Sequence, residues 1–168
     1  MAEALSAFSG AAIYLDTMVL FGYLVAESSW HASSDQFFTR AVEAEPRIAL
    51  VTASLTLDEL AFNLLQEAVA VPPYGVMRSR SQFLQHRPAV VRDLTQGLAP
   101  IITRVASLLD IQPVTGDDGL AMLDGMSRYG LLPRDAIHLA VMRRLGITAI
   151  ASDDDAFEGI AGITLYKP

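Results

Sequence analysis

The chain has 168 residues, 52% of them apolar and 18% charged, a balance that excludes an unstructured chain and fits a single domain spanning 1–168, near the usual size of about 150 residues. Nineteen acids against twelve bases leave a net charge of −7, which excludes a protein that coats nucleic acid by neutralising its phosphates but not an enzyme that meets phosphate through a metal. The absence of cysteine removes disulfides, cysteine–zinc sites and cysteine nucleophiles together, and fits a reducing cytosol.

The start, Met1 to Gly10, holds Glu3 and no basic residue, so no signal peptide is expected. No run approaches the ~18 apolar residues of a membrane span, and a cytoplasmic location is expected. Ala11 to Leu15 is a short apolar run ending on Asp16, the pattern of a buried strand. Helices are expected over 17–26 and 33–43, the second with Phe37, Phe38, Ala41 and Val42 on one side. A second strand over 48–52 leads into a helix over 54–70. The stretch 71–75, with Pro72, Pro73 and Gly75, reads as a loop. A helical pattern over 88–109 is expected to break at Gly97 and Pro100. A third strand over 111–115 precedes a helix over 117–129, with acids in its first turn where the helix dipole favours them. Pro133 opens a further helix and Gly146 closes it. Strands over 149–151 and 163–166 complete the chain. Strand alternating with helix predicts an α/β domain whose five-stranded, mostly parallel sheet is covered on both faces.

In such a sheet the working edge is the carboxyl end of the strands. Asp16 lies there, although an acid at that position also serves as a helix cap. Glu59 lies in the first turns of the helix over 54–70, where a solvated glutamate is equally ordinary. Asp135 follows Pro133-Arg134 in the first turn of its helix. Asp153, Asp154 and Asp155 come directly off the fourth predicted strand. Carboxylates gathered at one edge repel one another and stay ionised together only around a cation. Oxygen ligands without cysteine suit Mg²⁺ or Mn²⁺, ions that serve phosphate chemistry.

Four blocks carry a family resemblance: IYLDTMVL from Ile13 to Leu20, SLTLDELAFNLL from Ser54 to Leu65, LLPRDAIHLAVMRRLGI from Leu131 to Ile147, and AIASDDDAFEGIAGITLYKP at the end. In this order they resemble the PIN-domain nucleases, and within them the VapC-type toxins of toxin–antitoxin pairs. The resemblance implies a PIN-like three-layer α/β/α fold and a Mg²⁺- or Mn²⁺-dependent endoribonuclease. It assigns Asp16, Glu59, Asp135 and Asp153 to catalysis and metal binding. Asp155 is expected as an outer, water-mediated ligand, and Asp154 is the alternative to Asp153. An RNA substrate, a small antitoxin protein and a homodimer are the implied partners. The stretch 71–97 is longer than a small toxin of this type needs and reads as an insertion.

Eleven of the twelve bases are arginine and the one lysine is Lys167. That argues against a response-regulator receiver, which needs a lysine late in its sheet. Asp16 is followed by Thr17-Met18, without the second aspartate of a dehalogenase-type phosphatase, and no glycine-rich phosphate loop is present. A PIN-like domain that binds without cutting shares the fold and remains the rival. His138, three residues after Asp135 and so on the same helix face, is expected to pack beneath the site. Thr17 is either a donor to a carboxylate or phosphate, or a plain helix-start hydroxyl. Arg78, Arg80, Arg87 and Arg92 form the densest basic stretch and are the candidates for holding an RNA backbone. Trp30, Phe37, Phe38, Met122 and Met126 read as core or subunit contacts.

Overall fold

Along Ala12–Leu15 (β2) the side chains alternate between two cores, as a pleated strand requires. Ile13 and Leu15 join Val19, Leu20, Phe37, Phe38, Leu60 and Val105 on one face. Tyr14 points to the other, with Leu139, Met142, Phe157 and Leu165. This computed structural model describes all 168 residues and consists of three layers. One face of the sheet is covered by α1 (Thr17–Leu24), α2 (His31–Glu43), α3 (Ser54–Ala70) and α5 (Pro88–Ala106). The other is covered by α6 (Gly116–Tyr129) and α7 (Pro133–Leu145).

Besides β2 the sheet contains β1 (Glu3–Ala4), β3 (Ala49–Ala53), β4 (Asp110–Gln112), β5 (Ala149–Ala151) and β6 (Thr164–Lys167). These are six strands rather than five, in the order β1-β6-β5-β2-β3-β4, and every neighbouring pair is parallel. The extra strand is the edge pair Glu3–Ala4, matched to Tyr166 and Lys167. Two exposed residues carry no alternating pattern, so only the far end of the chain defines them as a strand. The strand order grows from β2 through β3 to β4, then resumes on the other side of β2 with β5. That reversal makes the gap between the carboxyl ends of β2 and β5 the topological switch point, where open α/β sheets bind ligands.

One helical expectation needs correction, and one helix was not expected. The helix over 88–109 does not break: α5 runs unbroken through Gly97 and Pro100 to Ala106. Pro100 sits on the exposed side, while Leu98, Ile102 and Val105 hold the opposite side against the core, so tertiary packing outweighs one lost backbone hydrogen bond. A short helix that the sequence reading did not assign, α4 (Arg80–Gln85), lies beyond the expected 71–75 loop and inside the 71–97 stretch; Leu84 is its one buried residue. The third strand ends at Gln112 rather than Thr115, because Pro113 has no N–H to offer the ladder. Thr115 instead caps α6 in a reciprocal capping box with Asp118. Gly130 and Gly146 end α6 and α7 at φ 70° and 69°, a left-handed turn suited to glycine. No helix is long and apolar enough to cross a membrane.

Candidate metal centre

Asp16 follows the last residue of β2, and its own N–H donates to Ala151 O of β5 at 3.0 Å. Its backbone is extended (φ −79°, ψ 161°). By alternation it therefore faces the same side as Tyr14, toward α7. One carboxylate oxygen accepts from Thr17 N–H at 2.6 Å, as a helix cap does. The other accepts from the Ser152 hydroxyl, also at 2.6 Å. The cap and the strand-end acid are thus one residue, and the two readings of Asp16 are compatible.

Glu59 reaches the same point from the second turn of α3. Its Oε2 accepts from Thr17 Oγ at 2.6 Å and its Oε1 from Arg134 Nη1 at 2.9 Å. Thr17 therefore serves two carboxylates, its amide serving Asp16 and its hydroxyl Glu59. Burial pushes the Glu59 carboxyl up, but the neighbouring His138 imidazole, the Thr17 hydroxyl and the Arg134 guanidinium outweigh it and hold it down at about 2.

The other two acids are shifted the opposite way. Burial raises Asp16, with the charge of Glu59 adding to it, against the bonds from Ser152 and Thr17 and the pull of His138. Burial also raises Asp135, reinforced by the charges of Asp154, Asp16 and Glu59. Neither Asp16 nor Asp135 has an arginine or lysine within salt-bridge distance. Burial, and beside it the neighbouring acids, thus work against ionising Asp16 and Asp135, a condition that a bound cation would relieve.

His138 is the residue that sequence reasoning left outside the site. It is 2% exposed, as expected for a histidine beneath the carboxylates, and Nδ1 is hydrogen-bonded to Tyr14 Oη at 2.8 Å. Its Nε2 is buried without a hydrogen-bond partner; the closest acid, Glu59 Oε2, lies 3.7 Å away. Donor atoms of Asp16, Glu59 and His138 all fall within 4.8 Å of one another. The spacing Asp135–His138 contained the signal, but the unpartnered nitrogen was not visible in it. This donor set, oxygen-rich with one free imidazole nitrogen, fits a divalent metal.

The loop acids separate. Asp154 N–H donates to Ser152 Oγ at 3.0 Å, and its carboxylate caps the turn over Asp155–Phe157 by accepting from Ala156 N–H at 2.8 Å. Its charge is the largest acting on Asp135. Asp155 accepts from Lys167, and Asp153 contributes to raising that same lysine. Of the arginine stretch, Arg80 pairs with Glu67 at 3.6 Å and Arg87 stacks on Phe83 at 4.1 Å, while Arg78 and Arg92 are exposed. Phe37 and Phe38 are core residues, and Met122 and Met126 pack against the core partly buried.

A parallel three-layer sheet with acids at its switch point defines a class, and the sequence comparison identifies it. Residues 13–163 match the PIN domain family, and the chain belongs to it. Comparison with curated proteins gives no match. Among solved structures, the fold is similar to that of Mycobacterium tuberculosis VapC20, described as a sarcin-ricin loop cleaving toxin. That match has 19% identity and a TM-score of 0.53, over 88% of this chain and 91% of that one. A toxin–antitoxin complex from Klebsiella pneumoniae matches at 17% identity and a TM-score of 0.53, over 90% and 95% of the two chains. FitAcB from Neisseria gonorrhoeae matches at 15% identity and a TM-score of 0.55, over 92% and 96%.

Proposed function

We propose that this protein is a divalent-metal-dependent endoribonuclease and the toxin half of a toxin–antitoxin pair, working in the cytoplasm. The observation that carries the reading is Asp16 and Glu59, whose donor atoms lie within 4.8 Å of each other and of His138, with Asp135 close enough to feel the charges of both acids. Two of the three acids, Asp16 and Asp135, are raised, by burial first and then by the charges of neighbouring acids. Asp16, Glu59 and Asp135 hold the ion, Mg²⁺ or Mn²⁺, with a fourth acid from the 153–155 loop. For that fourth position Asp154 is favoured over Asp153 by its charge on Asp135, and Asp155 is taken up by Lys167. When bound, such an ion supplies positive charge to the phosphodiester and lowers the pKa of water.

The chain's own groups set the geometry. Thr17 and Ser152 fix the rotamers of Glu59 and Asp16 through short hydrogen bonds. Glu59, ionised down to about pH 2, only accepts hydrogen bonds at neutral pH. It therefore orients a ligand or a water and does not carry a proton away. Exposed Arg78 and Arg92 are the free cations of the arginine stretch for an RNA backbone.

Labelled structured and single-stranded RNAs incubated with the protein in Mg²⁺, Mn²⁺ or EDTA test this reading. Cleavage is expected with metal and not with EDTA. Asp16→Asn should lower it by about 10²-fold or more while the fold persists, because Asn caps a helix as well as Asp does. Cleavage in EDTA, or full activity of the variant, overturns the assignment. A chain that is monomeric and binds no small cognate protein loses the toxin reading and keeps the nuclease one.

A further inference from the structure

In a settled protein core a buried histidine satisfies both ring nitrogens, because an unpaired polar atom out of water is destabilising. His138 satisfies one. Its Nδ1 is bonded to Tyr14 Oη at 2.8 Å, and the two rings meet edge-on with centroids 5.6 Å apart. Its Nε2 is fully buried and unpartnered, and it points at the carboxylates rather than into the apolar core. At 3.7 Å from Glu59 Oε2 it is beyond hydrogen-bond range. We propose that His138 Nε2 is a direct ligand of the ion held by Asp16 and Glu59, making the centre a mixed nitrogen–oxygen site that selects first-row transition ions such as Mn²⁺ over Mg²⁺.

The local structure supplies what a histidine ligand needs. Asp135 and His138 stand three residues apart on α7, so a carboxylate and an imidazole are presented on one face of one helix, the spacing that carboxylate-rich metal bundles use. A ligating imidazole is deprotonated at the metal-bound nitrogen and holds its proton on the other, where an outer partner fixes the ring. Tyr14 would be that partner once an ion is bound: Nδ1, 2.8 Å from its oxygen, then carries the proton and donates, and Nε2, freed of its own proton, faces the ion beside Asp16 and Glu59. The three donor atoms lie within 4.8 Å of one another. Ligands about 2.1 Å from an octahedral ion lie roughly 3–4.2 Å apart, so closure around the ion takes shifts of under about 1 Å. Mg²⁺ prefers an all-oxygen shell, whereas imidazole suits the transition ions.

The inference rests on the metal reading above, and one spectroscopic experiment separates the two. The full-length protein is titrated with Mn²⁺ and followed by electron paramagnetic resonance, and pulsed measurement of the bound ion looks for coupling to an imidazole nitrogen. Saturable binding with nitrogen coupling is expected in the unmodified protein. His138→Gln should abolish the coupling and weaken Mn²⁺ binding by about tenfold or more, with Mg²⁺ affinity, read by competition, changing by less than about twofold. Tyr14→Phe should keep the coupling and weaken Mn²⁺ binding by about 10–100-fold, the usual effect of losing an outer partner. Bound Mn²⁺ without nitrogen coupling in the unmodified protein overturns the role of His138 and leaves the carboxylate centre standing. No saturable Mn²⁺ binding, or binding unchanged by Asp16→Asn, overturns both. Because the unmodified protein gives the deciding spectrum, the result stands even if a buried variant fails to fold.

Discussion

Thr17 is 3% exposed and its hydroxyl has one acceptor, Glu59 Oε2 at 2.6 Å. Thr17→Val removes that donor and nothing else of consequence. Valine matches threonine in shape and in β-branching, and the Thr17 N–H that completes the Asp16 cap stays in place. A hydrogen bond to an ionised group contributes about 1.5–3 kcal/mol. The Glu59 side chain is only 13% exposed, so solvent screens the bond little. The small gain from burying a methyl in place of a hydroxyl takes the net toward the lower half of that range. The expected loss is about 2 kcal/mol at pH 7, or roughly 4–8 °C in Tm for a chain of this length.

The pH dependence has a definite sign. Glu59 is depressed to about 2 in the folded protein, against about 4.3 unfolded. Stability from its ionised form is therefore present above about pH 4.3 and lost as pH falls toward 2. The Thr17 bond is part of that stability, so the gap between Thr17→Val and the unmodified protein should be full at pH 6–8 and narrow below pH ~4. The Glu59 carboxyl itself should move up by about one unit, the equivalent of losing 1.4 kcal/mol. Urea denaturation in EDTA across pH, with carbon NMR of the Glu59 carboxyl, measures both. A loss below about 0.5 kcal/mol with an unmoved carboxyl refutes the reasoning.

Two further outcomes follow from the same contacts. Asp118, 2% exposed, accepts from Arg144 Nε at 2.9 Å and from Thr115 N–H at 2.8 Å. Asp118→Ala should cost about 3 kcal/mol, from a partly buried ion pair and a helix cap together. Burial opposes the Asp118 charge, but Arg144 and Thr115 lower the carboxyl overall, so this penalty should shrink below about pH 4 in thermal melts; an undiminished penalty at pH 3 would count against the pairing. In RNA cleavage, Asp154→Asn should impair the protein more than Asp153→Asn does, and the reverse order would return the fourth acid to Asp153.

Legibility in the sequence followed the range of the interactions involved. Ser54–Ala70 and Ala149–Ala151 can be placed to the residue, because local chemistry bounds them: a helix period in one, a short apolar run before acids in the other. Glu3–Ala4 could not, since its partners lie at Tyr166 and Lys167. Pro100 misled because its local rule is real but is outweighed by Leu98, Ile102 and Val105 docked on the core. The acids of the site were readable because strand ends and first turns are local features. The Thr17–Glu59 bond spans 42 residues and the Tyr14–His138 bond 124, so neither donor role has a signature along the chain.

The two kinds of carboxylate in the centre then have different physical tasks. Glu59 has its own cations and donors, and its low pKa makes it a fixed negative post whether or not an ion is present. Asp16 and Asp135 have no arginine or lysine beside them, and burial together with neighbouring acids raises both, so their charge works against the metal-free fold. Ser152 and Thr17 N–H hold Asp16 in position without neutralising it. Strain of this sign would be relieved by positive charge delivered to that point, so in the proposed centre affinity for a cation and a modest loss of metal-free stability have one cause. It also places the surplus of acids: the repelling ones sit where the proposed ion would offset them, while Asp118, Glu67 and Asp155 are each matched by a basic side chain.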